Sequence, residues 1–199
     1  PKVAVVVGGP AGKFYLTTPD LATTVFTGVL GPQQYAELSF QQTRTADFSD
    51  FKAVGTFVVW IPGLGFSHPF QIRPGVHDAV ARAALKGFYY QRASTPLPPA
   101  YAGIWSRPLG HPDNQVLVHA SAASAQRPAG TVIAAPRGWY DAGDYNEYVV
   151  NSGITLGTLL SLYEDFPAYC AGLDTRIPES GNALPDLLDE ALWNLRWLQ

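Results

Sequence analysis

The alternation of apolar and polar positions changes period once along the chain, near residues 75–78. Before that point the pattern is that of β-structure. A continuous apolar run at 3–7 is followed by Gly8-Gly9-Pro10, by apolar-rich stretches at 14–18 and 23–30, and by the alternating segment Tyr35-Ala36-Glu37-Leu38-Ser39-Phe40. Residues 46–51 read as a loop, 55–61 as a strand, and 66–72 as another strand after Pro62-Gly63-Leu64-Gly65. About six or seven short strands separated by turn residues predict a small antiparallel sandwich.

After residue 78 the period is helical. Asp78 is positioned to cap an Ala-rich segment over 79–92, in which Val80, Ala84, Phe88 and Gln91 trace one face and most of the rest is apolar, predicting a buried helix. Residues 94–119 carry Pro96, Pro98, Pro99, Pro108 and Pro112, which exclude a long helix. Ile154, Leu156, Leu159, Leu160, Tyr163 and Phe166 form a second helical face that Pro167 ends, leaving Glu164 and Asp165 in the last turn to be solvated or paired. A final helix opens at Pro185, has Asp186, Asp189 and Glu190 where the helix dipole favours anions, and carries a stripe of Leu184, Leu188, Ala191, Leu192, Leu195 and Leu198. The expected organisation is an all-β sandwich over 1–75 and an all-α part over 76–199.

Composition changes this picture little. The 199 residues are 47% hydrophobic and 13% aromatic, enough to bury a core, and a net charge of -3 with 15% charged residues gives no basic stripe for nucleic acid. A single cysteine, Cys170, excludes a disulfide scaffold and reads as a buried, inert thiol. There is no run of about 20 apolar residues, hence no membrane span. The absence of an initiator methionine suggests a segment removed ahead of Pro1.

Chemistry concentrates at Arg137-Gly138-Trp139-Tyr140-Asp141-Ala142-Gly143-Asp144-Tyr145-Asn146-Glu147-Tyr148. Asp141 and Asp144 are three residues apart, and Gly143 between them admits a φ > 0 or close-approach backbone, so both acids can face one small volume. Water held there is open to deprotonation, and Trp139, Tyr140, Tyr145 and Tyr148 offer flat faces to a sugar ring. The structural alternative is a capping box, with Asp144 capping the next helix and Glu147 reaching back. His111, Asp113 and His119 raise the thought of a metal, with hydrogen-bonded histidine as the alternative.

The string 138–146, running on through Tyr148-Val149-Val150-Asn151-Ser152-Gly153, resembles the nucleophilic-water motif of glycoside hydrolase family 9, the inverting endoglucanases. Ile177-Pro178-Glu179-Ser180-Gly181-Asn182 with Leu184-Pro185-Asp186-Leu187-Leu188-Asp189-Glu190-Ala191 is similar to a second family string, and Ala84-Leu85-Lys86-Gly87-Phe88-Tyr89-Tyr90-Gln91-Arg92 to its opening helix. The 46–50, 55–57 and 70–72 segments resemble the immunoglobulin-like module that precedes the catalytic domain in many such enzymes, for which carbohydrate binding is the less expected role.

The resemblance implies that 76–199 begins an (α/α)6 barrel, with Asp144 as general base, Asp141 helping to hold the water, and Trp139 and Tyr140 as sugar-binding residues. The general acid, a glutamate, would lie beyond this chain, and the 199-residue piece alone would be inactive. The implied activity is endo-hydrolysis of β-1,4-glucosidic bonds in cellulose or related β-glucans. Alternatives are an exo-acting β-glucosidase or glucosaminidase and a non-catalytic carbohydrate-binding protein. No cofactor is required for this chemistry; structural calcium or zinc stays an open alternative that this stretch does not support, since Gly110 stands where some family members carry a cysteine of a structural zinc site. The implied partners are a β-glucan polysaccharide or oligosaccharide and the remainder of the catalytic domain, without nucleic acid, in a secreted or periplasmic protein. Ala183 and Glu147 depart from the family string, where glycine and lysine are common, and Glu147 is expected to push the acidity constant of Asp144 upward.

Overall fold

Phe14 and Leu16 have no exposed surface, and the first 76 residues are arranged around them. The computed structural model describes every residue from Pro1 to Gln199, and the chain divides into two units, 1–76 and 77–199. Eight strands form in the first: β1 (Val3–Val7), β2 (Lys13–Thr17), β3 (Thr24–Val29), β4 (Gln34–Ala36), β5 (Gln41–Asp47), β6 (Gly55–Ile61), β7 (Gly65–Phe66) and β8 (Phe70–Ile72). They make two antiparallel sheets, one ordered β1-β5-β4 and one β3-β2-β6-β7 with β8 also on β6. Val6 and Ala46 from the first sheet meet Phe14, Leu16, Val59 and Ile61 from the second, with Leu30 and Phe48 completing the core. In β2 the alternate residues Phe14 and Leu16 face the core, as a sandwich requires, while β6 buries Phe57, Val58 and Val59 in succession.

Two expectations need correction here. Residues 35–40 are not one strand: β4 ends at Ala36, and a turn follows in which Phe40 has φ 54 and is largely exposed. The strand missing from the sequence pattern is β5, Gln-Gln-Thr-Arg-Thr-Ala-Asp. It sits in the middle of its sheet, paired with β1 on one side and β4 on the other, and buries only Ala46 fully. Its place is fixed by backbone hydrogen bonds that carry no hydrophobic signature.

The second unit is helical with a long irregular stretch. Its elements are α1 (Asp78–Gln91), α2 (Pro99–Ala102), β9 (Val116–Leu117), β10 (Val132–Ile133), α3 (Val149–Asp165), α4 (Pro167–Ala171) and α5 (Asp186–Leu195). β9 and β10 pair antiparallel across the intervening loop. Trp139, Leu156, Leu159, Cys170, Leu187 and Ala191 form the core where α3, α4 and α5 meet the motif segment. Cys170 is fully buried, and that burial pushes its thiol up from its ordinary acidity.

Asp78 does not cap α1: His77 is the N-cap, without a side-chain bond, and Asp78 lies in the first turn. Nor is α1 buried on most sides. Val80 is exposed and only Tyr89 is fully covered. On α3 the predicted stripe divides, with Leu156 and Leu159 buried beside Ser152 while Ile154 and Phe166 face solvent. Pro167 ends α3 by starting α4, where its fixed φ suits the first position. No helix is long and apolar enough to cross a membrane.

Candidate active site

The motif begins with two residues in the left-handed region, Arg137 (φ 83) and Gly138 (φ 81). At 138 the sequence needs glycine on two counts. A Cβ would overlap the Glu147 carboxyl and come within 3.0 Å of Trp197, besides straining the backbone. This kink turns residues 138–140 against the end of α1. Ala93 N donates to Gly138 O at 3.0 Å, Tyr140 N donates to Gln91 O at 2.9 Å, and Arg92 and Trp139 form an isolated antiparallel bridge.

Trp139 and Tyr140 are 5% and 7% exposed, which corrects the expectation that they offer their faces to sugar. The Trp139 ring packs on Phe88, centroids 5.0 Å apart, and its Nε1–H donates to Glu190 Oε1 at 2.8 Å. Tyr140 is covered edge-on by Tyr145 and His111, with His111 Nδ1 and Tyr140 Oη 3.1 Å apart. His111 also stacks on Tyr145 at 4.4 Å and so packs against this loop, while Asp113 accepts from Ser94 Oγ. His119 is bonded locally to Ser121.

After Tyr140 the chain leaves α1 and closes on itself, Asp141 N donating to Asn146 O at 3.0 Å. Gly143 has no positive φ, and a Cβ there would meet open space, so the flexibility expected of it is not used. The two aspartates are exposed and held separately. Asp141 Oδ1 accepts from Asn151 Nδ2 at 2.6 Å, a donor supplied by the first turn of α3. Asp144 accepts from Asn146 N at 3.3 Å, from Asn146 Nδ2 at 3.1 Å and from Tyr148 Oη at 3.4 Å.

Asp144 is not a helix cap. Tyr148 is the N-cap of α3, no side chain caps it, and the capping-box alternative is not realised. Glu147, its supposed partner, points inward instead: its Oε1 is buried without a hydrogen-bond partner. Burial, with the Asp113 carboxylate adding to it, pushes the Glu147 carboxyl up to about 8.

Beside Asp141 lies a cleft of about 100 Å³ lined also by Phe88, Gln91, Trp139, Tyr140, Tyr148, Asn151, Ser152 and Thr155. At roughly 30 Å³ per molecule of liquid water it has room for about three waters, and it is well below the size of a pocket that encloses an organic ligand. Asp144 lies outside its lining.

The other carboxylates of the motif strings are occupied. Glu179 takes Arg92 Nη1 and Nη2 at 3.0 Å each, while Glu190 takes Arg92 Nε and Nη2, the latter at 2.9 Å. Asp186 accepts from Thr175 N, Thr175 Oγ1 and Ser180 Oγ, and Asp189 from Asn182 Nδ2. Asp186 and Asp189 sit in the first turn of α5 as the dipole argument expects and Glu190 just past it, yet each reaches across to another segment. The sequence patterns also missed Asn146, Tyr148 and Asn151 as donors and Arg92 as the hub of the Glu pair. A buried arginine pairing two distant acids leaves no periodic mark in the chain.

A helical unit with an exposed aspartate pair on a glycine-kinked loop, joined to an immunoglobulin-like sandwich, defines a class that comparison identifies. The model of "Glycosyl hydrolase family 9" matches residues 77–199, and that of "Cellulase N-terminal ig-like domain" matches residues 1–65. The chain belongs to glycosyl hydrolase family 9. Among its relatives, a xyloglucan-specific endo-beta-1,4-glucanase of Bacteroides ovatus is 43% identical over 99% of this chain and 33% of its own length. Endoglucanase D of Acetivibrio thermocellus is 32% identical over 96% of this chain and 30% of its own length. Among solved structures, a family 9 protein of Bacteroides ovatus has a TM-score of 0.87 at 44% identity, covering 98% of this chain and 36% of the other. The family 9 endoglucanase J30 has a TM-score of 0.88 at 30% identity, covering 100% and 37%. The chain thus spans about a third of the length of these relatives.

Proposed function

We propose that the protein carrying this chain hydrolyses β-1,4-glucosidic bonds of cellulose or a related β-glucan with inversion, and that Asp144 is its general base. Asp141 holds the water. The observation that carries the assignment is a contrast among the carboxylates of the motif strings. Glu179 and Glu190 are tied to Arg92, and Asp186 and Asp189 are buried, whereas Asp141 and Asp144 are exposed and accept only from neutral donors. A carboxylate that faces no cation keeps the capacity to take a proton.

In the proposed step Asp144 removes a proton from water as its oxygen attacks the anomeric carbon. The glycosidic C–O bond breaks, and the leaving oxygen takes a proton from an acid. An inverting pair needs its carboxyls roughly 6.5–9.5 Å apart to admit the water. Asp141 and Asp144 share one short loop and one side of the sugar, Glu179, Glu190, Asp186 and Asp189 are spent on structure, and Glu147 faces inward; in this reading, as the family resemblance implies, the acid is a glutamate in the part of the protein outside this chain. The endoglucanase relatives support endo action, and xyloglucan belongs among the substrates assayed because the Bacteroides ovatus relative is specific for it.

In the intact protein, Asp144→Ala is expected to lower kcat on soluble β-glucan by roughly 10²–10⁴-fold. Azide, a nucleophile that needs no deprotonation, should restore part of the turnover. Wild-type turnover in the variant removes Asp144 from the role of base.

A further inference from the structure

A second structure around the motif is not explained by water activation: the buried charge cluster at the end of α1. Arg92 is 2% exposed, and all its guanidinium nitrogens are engaged, Nη1 with Glu179, Nε with Glu190, and Nη2 with both. Its flat face lies 4.5 Å from the Trp193 ring, and its carbonyl accepts from Arg107 Nη2 at 2.5 Å. Burial pushes the Glu190 carboxyl up, opposed by the facing guanidinium and by the Trp139 N–H.

Such a cluster is poorly explained by stability alone. Removing two charges from water costs about what their attraction returns, and apolar side chains of equal volume commonly stabilise as much. A bidentate guanidinium–carboxylate fork does have direction, which an apolar contact lacks. Here the direction leads to one place. Glu190 Oε1 accepts from both Arg92 Nε and Trp139 Nε1. The backbone of the same arginine bridges to the backbone of Trp139. Residue 139 is therefore held twice by Arg92, through the main chain and through Glu190, and Trp193 Nε1 adds a bond to the carbonyl of Gly138 at 3.0 Å. These bonds stop at Tyr140. From Asp141 onward the loop rests on its own closure, on Asn151 and on the packing of Tyr145 against His111 and Tyr140.

We propose that Trp139 is a positioning residue for the water-activating aspartates, acting through its indole bond to Glu190 and the Arg92–Glu179 pair behind it. The inference rests on the function proposed above, and in it the cluster fixes the direction in which the 141–146 loop departs. Without the indole bond the main-chain bridge remains, but the plane of residue 139 is free to tilt, and the error is carried into a loop with no other anchor to α1. A displacement of about 1 Å at a reacting group is enough to cost up to roughly a hundredfold in rate.

The test is steady-state kinetics on the intact protein bearing Trp139→Phe, which keeps an aromatic ring against Phe88 and deletes only the donor and part of the ring. The expected result is kcat lowered by roughly ten- to a hundredfold, KM within about twofold, and partial recovery with azide. A wild-type kcat, or a fall in kcat matched by an equal rise in KM, overturns the proposal. Should Trp139→Phe not accumulate folded, Trp139→Leu is read on the same axes, since it too is apolar and lacks the N–H that bonds Glu190. Asp144→Ala, assayed in parallel, separates the two claims. If it is inactive while Trp139→Phe is normal, the positioning role alone fails; if it retains wild-type activity, the assignment of Asp144 as base fails.

Discussion

Glu147 carries a buried, unpartnered carboxyl oxygen within the exposed acidic loop. Its ordinary value of 4.5 rises to about 8 because burial disfavours the charged form and Asp113 adds to the effect. Below 4.5 the group is protonated in both folded and unfolded chains and costs nothing. Between 4.5 and 8 the folded state holds a proton that the unfolded state has released, so stability falls as pH rises, and above 8 the loss is complete. Glu147→Gln removes the titration. Melting curves of the intact protein are expected to coincide for wild type and variant near pH 4, and to favour the variant by about 3 °C at pH 8–9. Parallel curves across that range would show that the carboxyl is not held protonated by the fold.

The element that aims the site is the kinked segment before the loop. Its sharpest constraint is Gly138, where a left-handed backbone, the Glu147 carboxyl and Trp197 coincide. Gly138→Ala is expected to destabilise by at least about 1–2 kcal/mol from the backbone alone, measured by denaturant unfolding of the intact protein. The cost should shrink in a Glu147→Ala background, because one obstacle to the new Cβ is then gone. Equal costs in the two backgrounds would mean that Glu147 is not the obstacle. α5 works at the same scale. Its acids were legible as an anionic first turn, but Asp186 ties down Thr175 and Ser180, Asp189 takes Asn182, and Glu190 takes Arg92 and Trp139. The helix is thereby a rack on which the 175–182 segment and the motif strand are hung.

For the whole molecule, one stereochemical outcome follows from assigning both loop aspartates to the water. If a carboxylate activates water rather than attacking sugar, the bond reverses configuration in a single displacement. Proton NMR of fresh hydrolysate from a β-1,4-glucan should therefore show the α-anomer first, with the β-anomer growing in only as the sugar mutarotates. A β-anomer at the earliest times would require a covalent intermediate and a nucleophile where water is proposed.

Much of this was readable from residue order. The period-two run of apolar residues around Phe14 and Leu16 specified a sandwich, the helical stripes of α3 and α5 specified a packed helical unit, and the 138–146 string specified the family. These features are local: a few neighbouring residues decide whether one face is apolar or which acids sit near a helix start. What only the tertiary structure decided was which polar groups meet. The polar strand β5 is held between β1 and β4 by backbone bonds, Trp139 turns inward because Glu190 waits for its N–H, and Asp144 stays in solvent because α3 begins at Val149 and not beside it. Each of those outcomes joins residues that are distant in the chain or depends on where a helix nucleates, and hydrogen bonds between such residues impose no spacing that the sequence could display.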